Sequence, residues 1–213
     1  MKSEAPAPER TVVAILRGIT PAQVVDVAQV LHRAGIRCIE VPLNSPEPFA
    51  SIAALAALGL RDCLIGAGTV LKTDDVQRTY DAGGRLIVAP NFDGAVIERA
   101  LQLGMAVMPG IMTATEALGA IQAGAQDLKL FPAVSSGPAH LRALKSVLPA
   151  GVRIFPVGGI GAADIPGWLA AGADGFGFGS EIFRPDYPLE TIAARAQGIM
   201  QALQDARLQH RNR

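Results

Sequence analysis

Short apolar segments alternate with longer amphipathic ones along the whole chain. Eight short segments have the length and hydrophobicity of buried strands, and their starts lie 20 to 26 residues apart. The predicted strands are 12–17, 38–43, 64–69, 86–90, 106–109, 127–131, 153–157 and 175–179. Many of the intervening segments end in a glycine directly before the next strand, as in "HRAGIRCIEV" and "IQAGAQDLKLF". Glycine at that position is typical of the left-handed residue that closes a helix.

Helix starts are marked as well as helix ends. Thr20 precedes Pro21 in the arrangement of an N-cap followed by a first-turn proline. Thr113 and Glu116 have the spacing of a capping box. The final helix is predicted to run from about 189 to 206.

Continuously hydrophobic strands that alternate with helices predict a parallel sheet covered by helices. Eight such units are what a compact (β/α)8 TIM barrel requires, so we predict an α/β fold of that type. An open doubly wound sheet is the alternative, but no GxGxxG sequence follows the first strand. We expect residues 1–213 to form a single TIM-barrel domain, with 1–10 and 207–213 as flexible tails.

Composition excludes some partners. Lys and Arg number 19 and Asp and Glu number 19, so no overall charge attracts nucleic acid or an anionic membrane. The start "MKSEAPAPERT" is polar, and the apolar run after it is too short for a signal peptide or a membrane span. The two cysteines and three histidines show no metal-ligand spacing. We therefore predict a cytoplasmic protein without a metal or another cofactor.

The barrel prediction sorts the polar residues by position. Active sites of TIM barrels form at the C-terminal ends of the strands. Arg17 and Thr69 end predicted strands, whereas Glu40 and Lys129 lie inside two of them. Asp127 opens a strand at the opposite end, where a structural role is expected.

Alternation along the strands orients the two internal charges. In "CIEVPL" the apolar residues Ile39 and Val41 suit contact with helices, which leaves Glu40 on the other face. In "DLKLFP" the same argument turns Lys129 inward. A buried ion pair that stabilises the barrel is the structural alternative, but a barrel interior can be filled with Val, Ile and Leu, so no ion pair is needed there.

A lysine removed from water has a lowered pKa and can act as a nucleophile toward a carbonyl carbon. Such an amine at Lys129 would form a Schiff base, and Glu40 would then carry protons. Arg17 offers a planar fork to a carboxylate.

The last two predicted strands carry glycines in place of charges, in "PVGGIG" and "GFGFGSEIF". TIM barrels often bind phosphate at these two loops through backbone N–H groups. Tight barrel packing is the alternative reason for the glycines. Together, the carboxylate fork, the amine, the proton carrier and the phosphate loops indicate a phosphorylated keto acid as substrate.

Six motifs in this order make the chain resemble a known family from about 12 to 200: "AILRG", "IEVPLNSP", "GAGTV", "VAPN", "LKLFPA" and "PVGGI". This sequence is similar to the class I 2-keto-3-deoxy-6-phosphosugar acid aldolases. The resemblance implies Lys129 as the Schiff-base lysine and Glu40 as the acid/base carboxylate. The substrate contacts that it implies are Arg17, Thr69, Pro90, Val157, Gly158, Gly159, Gly179 and Ser180. It also implies a homotrimer of TIM barrels that needs no metal.

The reaction implied by this resemblance is cleavage of a phosphorylated keto acid to pyruvate and glyceraldehyde 3-phosphate. Val157 and "PLNSP" resemble the galactonate branch, since gluconate-type relatives usually carry threonine and tend toward "TLRT" at the matching positions. The alternatives are an enzyme for the gluconate epimer or for both epimers, a phosphosugar isomerase or epimerase, and a non-catalytic phosphometabolite-binding barrel.

Overall fold

The computed structural model describes residues 11 to 211, in which strands and helices alternate. The strands are β1 Val12–Ile15, β2 Cys38–Pro42, β3 Leu64–Gly68, β4 Leu86–Val88, β5 Ala106–Met108, β6 Gly110–Ile111, β7 Asp127–Leu130, β8 Arg153–Pro156 and β9 Phe176–Phe178. The α-helices are α1 Pro21–Arg33, α2 Pro48–Ala57, α3 Thr73–Asp81, α4 Gly94–Gln102, α5 Ala114–Gln122, α6 Ala133–Lys145, α7 Ile165–Ala170 and α8 Leu189–Arg211, with a 3-10 turn at Ala162–Asp164.

Every strand pairing is parallel, which confirms an α/β fold on a curled parallel sheet. The strands form a six-stranded sheet in the order β5-β4-β3-β2-β1-β9 and a three-stranded sheet in the order β6-β7-β8. The ladder is thus divided between two sheets, whereas the sequence predicted one closed barrel. The fifth predicted strand, 106–109, corresponds to β5, whereas β6 was not predicted. Pro109 separates β5 from β6, and a proline has no N–H to donate within a sheet.

Alternation places the strand residues on two faces, as predicted. Ile39 and Val41 belong to the large core shared by strands and helices. Cys38 belongs to a second, smaller buried cluster on the opposite face of β2. Its other members are Val13, Leu86, Val88, Met108 and Phe155. Glu40 lies two residues from Cys38 and therefore shares this inner face.

The predicted helix signals have the expected geometry. Thr113 Oγ1 accepts from the Glu116 N–H at 3.3 Å, while the Thr113 N–H donates to Glu116 Oε2 at 2.8 Å. Gly35 and Gly124 follow α1 and α5 with φ of +97° and +102°. Asp127 has the expected structural role, because its carboxylate accepts two hydrogen bonds of 2.7 Å from Arg153.

The last helix extends beyond its predicted end, since α8 continues from 206 to Arg211. Residues 207–211 of the expected C-terminal tail are therefore helical. The predicted flexible tails otherwise fall on 1–10 and 212–213, which lie outside the described residues. Within 11–211, none of the helices has the length and hydropathy needed to cross a bilayer.

Candidate active site

Two charged side chains lie buried on the inner face of the strands. Glu40 on β2 is 1% exposed and Lys129 on β7 is 4% exposed. Glu40 is flanked in the sheet by Ile15 and Gly66, whereas Lys129 is flanked by Gly110 and Phe155. Both charges therefore lie on strands that are paired on both sides.

Glycine makes the space that the Glu40 carboxylate occupies. A Cβ atom at Gly68 would overlap this carboxylate. A Cβ atom at Gly110 would likewise overlap the backbone of Pro90. The glycines of the motif "GAGT" and of β6 thus allow the buried charge and the neighbouring strand ends to approach closely.

Arg17 follows β1 and connects three strand ends. Its Nη1 donates to Asn44 Oδ1 at 2.6 Å, and its Nη2 donates to Thr69 Oγ1 at 3.5 Å. Thr69 has a φ of +57°, which is unusual for a β-branched residue. This left-handed backbone lies directly after β3, where the Thr69 hydroxyl meets the guanidinium.

Burial changes the ionisation of both charged groups. Desolvation raises the pKa of Glu40 to about 7, and the positive charges of Lys129 and Arg17 only partly oppose it. Desolvation likewise lowers the pKa of Lys129; Glu40 opposes this shift and Arg17 adds to it. Near neutral pH the carboxyl group can therefore both donate and accept a proton, and the amine is more easily deprotonated than an exposed lysine.

The two buried charges do not neutralise each other by direct contact. Among the contacts of residues 11–211, no ion pair joins Lys129 to Glu40. Glu40 Oε2 is buried without a hydrogen-bond partner. A structural ion pair would satisfy these atoms, so the arrangement favours a site that receives a ligand over a structural bridge.

Lys129 opens into a cavity of about 380 Å³. The residues lining the cavity are Ile15, Arg17, Lys129, Phe131, Val157, Gly158, Gly159, Ile160, Gly177, Gly179, Ser180 and Glu181. The ring of Phe131 lies 4.8 Å from the Lys129 ammonium nitrogen. A larger cavity of about 690 Å³ lies between α1 and α8 and contains none of these residues.

Two glycine-rich loops form the far wall of the cavity. Gly158 and Gly159 follow β8 with φ of +96° and +72°, a conformation that other residues rarely adopt. The amides of Gly159, Gly179 and Ser180 donate no hydrogen bond to any atom of the described chain. Unsatisfied backbone N–H groups that line a concave wall form a binding site for an anion.

A comparison with protein-family models gives a match over residues 4–189 to the KDPG and KHG aldolases. The chain belongs to the KDPG and KHG aldolase family. This match covers most of the chain and includes every residue described above as part of the site.

Two similar proteins carry more specific names. The chain is 44% identical over 197 residues to a "Probable 2-dehydro-3-deoxy-6-phosphogalactonate aldolase" of Rhizobium meliloti (strain 1021), covering 92% of this chain and 93% of the relative. It is 43% identical over 194 residues to the "2-dehydro-3-deoxy-6-phosphogalactonate aldolase" of Escherichia coli (strain K12), covering 91% and 95% respectively. A solved structure, "Native KDPGal structure", superposes with a TM-score of 0.91 at 41% identity, covering 97% of this chain and 98% of that chain.

Most of the site residues predicted from the sequence of this aldolase lie together in the structure. Those lining the cavity are Arg17, Lys129, Val157, Gly158, Gly159, Gly179 and Ser180. Thr69 joins them through its contact with Arg17. Glu40 is near enough to Arg17 and Lys129 for their charges to lower its pKa. Pro90 lies against Gly110 and is not part of the cavity wall.

Three residues around the site of this aldolase were not predicted from the sequence. Asn44 contacts Arg17, Phe131 contacts Lys129, and Glu181 lies beside Ser180 in the cavity wall. All three occur inside the quoted motifs, "IEVPLNSP", "LKLFPA" and "GFGFGSEIF". Their position beside candidate residues at strand ends was the available signal. Among the described residues, no group of three or more His, Cys, Asp or Glu side chains is placed to hold a metal ion.

Proposed function

We propose that this chain is a class I aldolase that cleaves 2-dehydro-3-deoxy-6-phospho-D-galactonate to pyruvate and D-glyceraldehyde 3-phosphate. The observation that carries the proposal is the buried Lys129, whose pKa is lowered and whose cavity also contains Arg17 and the free amides of the glycine loops. The names of the two relatives support the substrate assignment.

Imine formation is the first step of the proposed reaction. The neutral amine of Lys129 adds to the carbon 2 carbonyl to give a carbinolamine. The protonated Glu40 carboxyl group gives its proton to the departing hydroxyl, so water leaves, a protonated imine forms, and Glu40 becomes a carboxylate. Arg17 and Thr69 hold the adjacent carboxylate, while the amides of Gly159, Gly179 and Ser180 receive the phosphate. The substrate is thereby held at both ends, with carbons 3 and 4 between them.

Carbon–carbon cleavage is the second step. The Glu40 carboxylate accepts the proton of the carbon 4 hydroxyl, directly or through a water. The electrons of the bond between carbons 3 and 4 move into the imine, which becomes an enamine, and carbon 4 becomes the aldehyde of glyceraldehyde 3-phosphate. The protonated Glu40 then returns a proton to carbon 3, and hydrolysis of the imine releases pyruvate and restores Lys129. A pKa of about 7 suits a carboxyl group that must both accept and donate.

The proposal is tested by reductive trapping. We expect borohydride added with pyruvate to inactivate the protein and to add the mass of one reduced pyruvate group, since reduction converts an imine to a stable secondary amine. Peptide mapping should locate the group on Lys129. Borohydride without pyruvate is the control. An adduct on another lysine, or no adduct, would contradict the mechanism.

Epimer preference follows from Val157. This side chain is buried at 4% exposure in the cavity wall. Gly177 leaves room for it, because a Cβ at Gly177 would lie 2.7 Å from Val157 Cγ2. A substrate hydroxyl directed at Val157 would lose a hydrogen-bond partner. We propose that the gluconate epimer directs its carbon 4 hydroxyl there and that the galactonate epimer does not.

Val157→Thr is expected to move the ratio of kcat/KM values about tenfold toward the gluconate epimer, because it adds a hydroxyl without changing the volume much. The ratio is measured with both purified epimers in a lactate dehydrogenase coupled assay. Val157→Ala adds no hydroxyl and should not favour the gluconate epimer. Equal or reversed preference in the wild type would contradict the epimer assignment but not the proposed aldolase chemistry.

We further propose that the strands close into a single (β/α)8 TIM-barrel domain. Two contacts support closure. Val157, directly after β8, forms a parallel bridge with Gly177 of β9, which links the three-stranded to the six-stranded sheet. Lys129 N donates to the carbonyl of Pro109 at 2.9 Å, which extends the pairing of β7 from β6 toward β5.

The trimer and the cytoplasmic location stay predictions. The trimer derives from the family resemblance. Light scattering on the purified protein measures the mass of the assembly directly.

A further inference from the structure

Two side chains of the loop after β2 bind the turn after β1, one at the Arg17 side chain and one at the Gly18 backbone. Asn44 Oδ1 accepts from Arg17 Nη1 at 2.6 Å. The neighbouring hydroxyl, Ser45 Oγ, accepts from the Gly18 N–H at 2.9 Å. Ser45 is buried and fixes the position of this loop, whereas Asn44 is exposed. The Asn44 amide therefore contributes a contact to Arg17 and little packing.

The contact matters because Arg17 is exposed and has a long side chain. A guanidinium at the edge of a cavity has many rotamers open to it, and ordering it on binding would weaken affinity for the ligand. Its bond to Thr69 is long, at 3.5 Å, so the 2.6 Å bond to Asn44 is the stronger restraint. Five N–H groups are available on an arginine, so both contacts leave donors for a carboxylate.

We propose that Asn44 is a positioning residue that holds the Arg17 guanidinium at the cavity, ready to receive the carboxylate of the keto acid, and that its neutral amide keeps the full charge of Arg17 for that carboxylate. This inference rests on the proposed aldolase function. An aspartate at position 44 could accept the same hydrogen bond, but it would compete with the substrate for the guanidinium.

The position of Arg17 also affects the chemistry through charge. The ionisable groups that face the cavity or lie buried beside it are Arg17, Lys129, Glu40 and Glu181. The Arg17 charge lowers the pKa of both Lys129 and Glu40. Displacing or neutralising Arg17 should raise both pKa values. The pH dependence of imine formation thus reports where the guanidinium lies.

Asn44→Ala is expected to raise the KM of the keto acid, and the concentration of pyruvate needed for borohydride trapping, by about tenfold. The kcat should change far less, because Lys129 and Glu40 keep their places. Asn44→Asp should raise KM further, on the order of 10²-fold, because its carboxylate pairs with Arg17. Trapping requires the neutral Lys129 amine, so its rate falls below the pKa of this group. Because that pKa should rise when Arg17 is displaced or neutralised, the fall at low pH should move to higher pH in both variants, and further in Asn44→Asp.

A double-mutant cycle separates positioning from a general effect on the loop. In the Arg17→Ala background, Asn44→Ala should cause no further rise in KM. Gln122→Ala, which removes an exposed amide at the end of α5, is the matched control and should leave KM and the pH profile unchanged.

Unchanged KM and pH profile in both Asn44 variants would overturn the proposal, as would a full additional effect in the Arg17→Ala background. These outcomes leave the aldolase assignment intact when the wild type still traps pyruvate. If the wild type traps no pyruvate at any concentration, the proposed function and this inference fail together.

Discussion

Lys129→Ala is expected to lower cleavage by about 10⁴-fold or more, because the variant has no amine to form the imine on which bond cleavage depends. Lys129→Met should have the same effect while filling more of the buried volume. Neither variant should give a pyruvate adduct with borohydride. Initial rates in the coupled assay and intact mass after trapping measure the two effects separately.

Folding provides the necessary control for these variants. Removing a buried charge that has no direct ion-pair partner should not destabilise the fold, so both variants should give the circular dichroism spectrum of the wild type. Lys72→Ala removes an exposed lysine outside the cavity and should keep full activity. Unfolded Lys129 variants whose remaining folded fraction is fully active would support a structural role for this residue.

Glu40→Gln is expected to slow cleavage by about 10² to 10⁴-fold while imine trapping on Lys129 continues, because glutamine keeps the shape but cannot carry a proton. Exchange of the pyruvate methyl protons in D₂O should slow as well, since it uses the same proton transfer. Unchanged exchange and cleavage would assign Glu40 to the core and the acid/base role to another group.

The same variant should show how burial of Glu40 affects stability. Its pKa is raised from 4.5 to about 7 in the folded protein. Between these values the folded state keeps a proton that the unfolded state has lost, so rising pH through this interval favours unfolding. Glu40→Gln has no such titrating group, so rising pH does not destabilise it in this way. The Tm of the variant minus the Tm of the wild type should therefore increase as pH rises from 4.5 to about 7.

Much of the site could be predicted because it depends on the position of residues along strands. The alternation in "CIEVPL" and "DLKLFP" was enough to turn Glu40 and Lys129 to the inner face, and the structure buries both there. Helix ends could be predicted for the same reason, since a glycine with positive φ or a capping threonine acts on backbone groups within a few residues. The end of α8 was placed too early because nothing in "RLQHRNR" stops a helix.

Contacts between different loops were beyond the reach of such patterns. Asn44 and Arg17 are 27 residues apart, and no periodicity links them. Pro90 was predicted as a substrate contact, and that role stays a prediction; its backbone packs against Gly110, and it is not among the residues that line the cavity. The short strand β6 after Pro109 was also missed, because its existence depends on pairing with β7, which lies more than 15 residues further along the chain.

The sequence by itself determined where the eight main strands lie, which face each of them presents, and that two charges must be buried among apolar neighbours. These properties follow from periodicity and from the cost of desolvating a charge, both of which are local. Only the tertiary structure decided that Lys129 and Glu40 form no direct ion pair. It also decided that the cavity is lined by residues of two separate loops, three of whose amides donate no hydrogen bond within residues 11–211. Distances between side chains on different strands depend on register, curvature and the space that glycines leave, and these are set only when all the strands pack together.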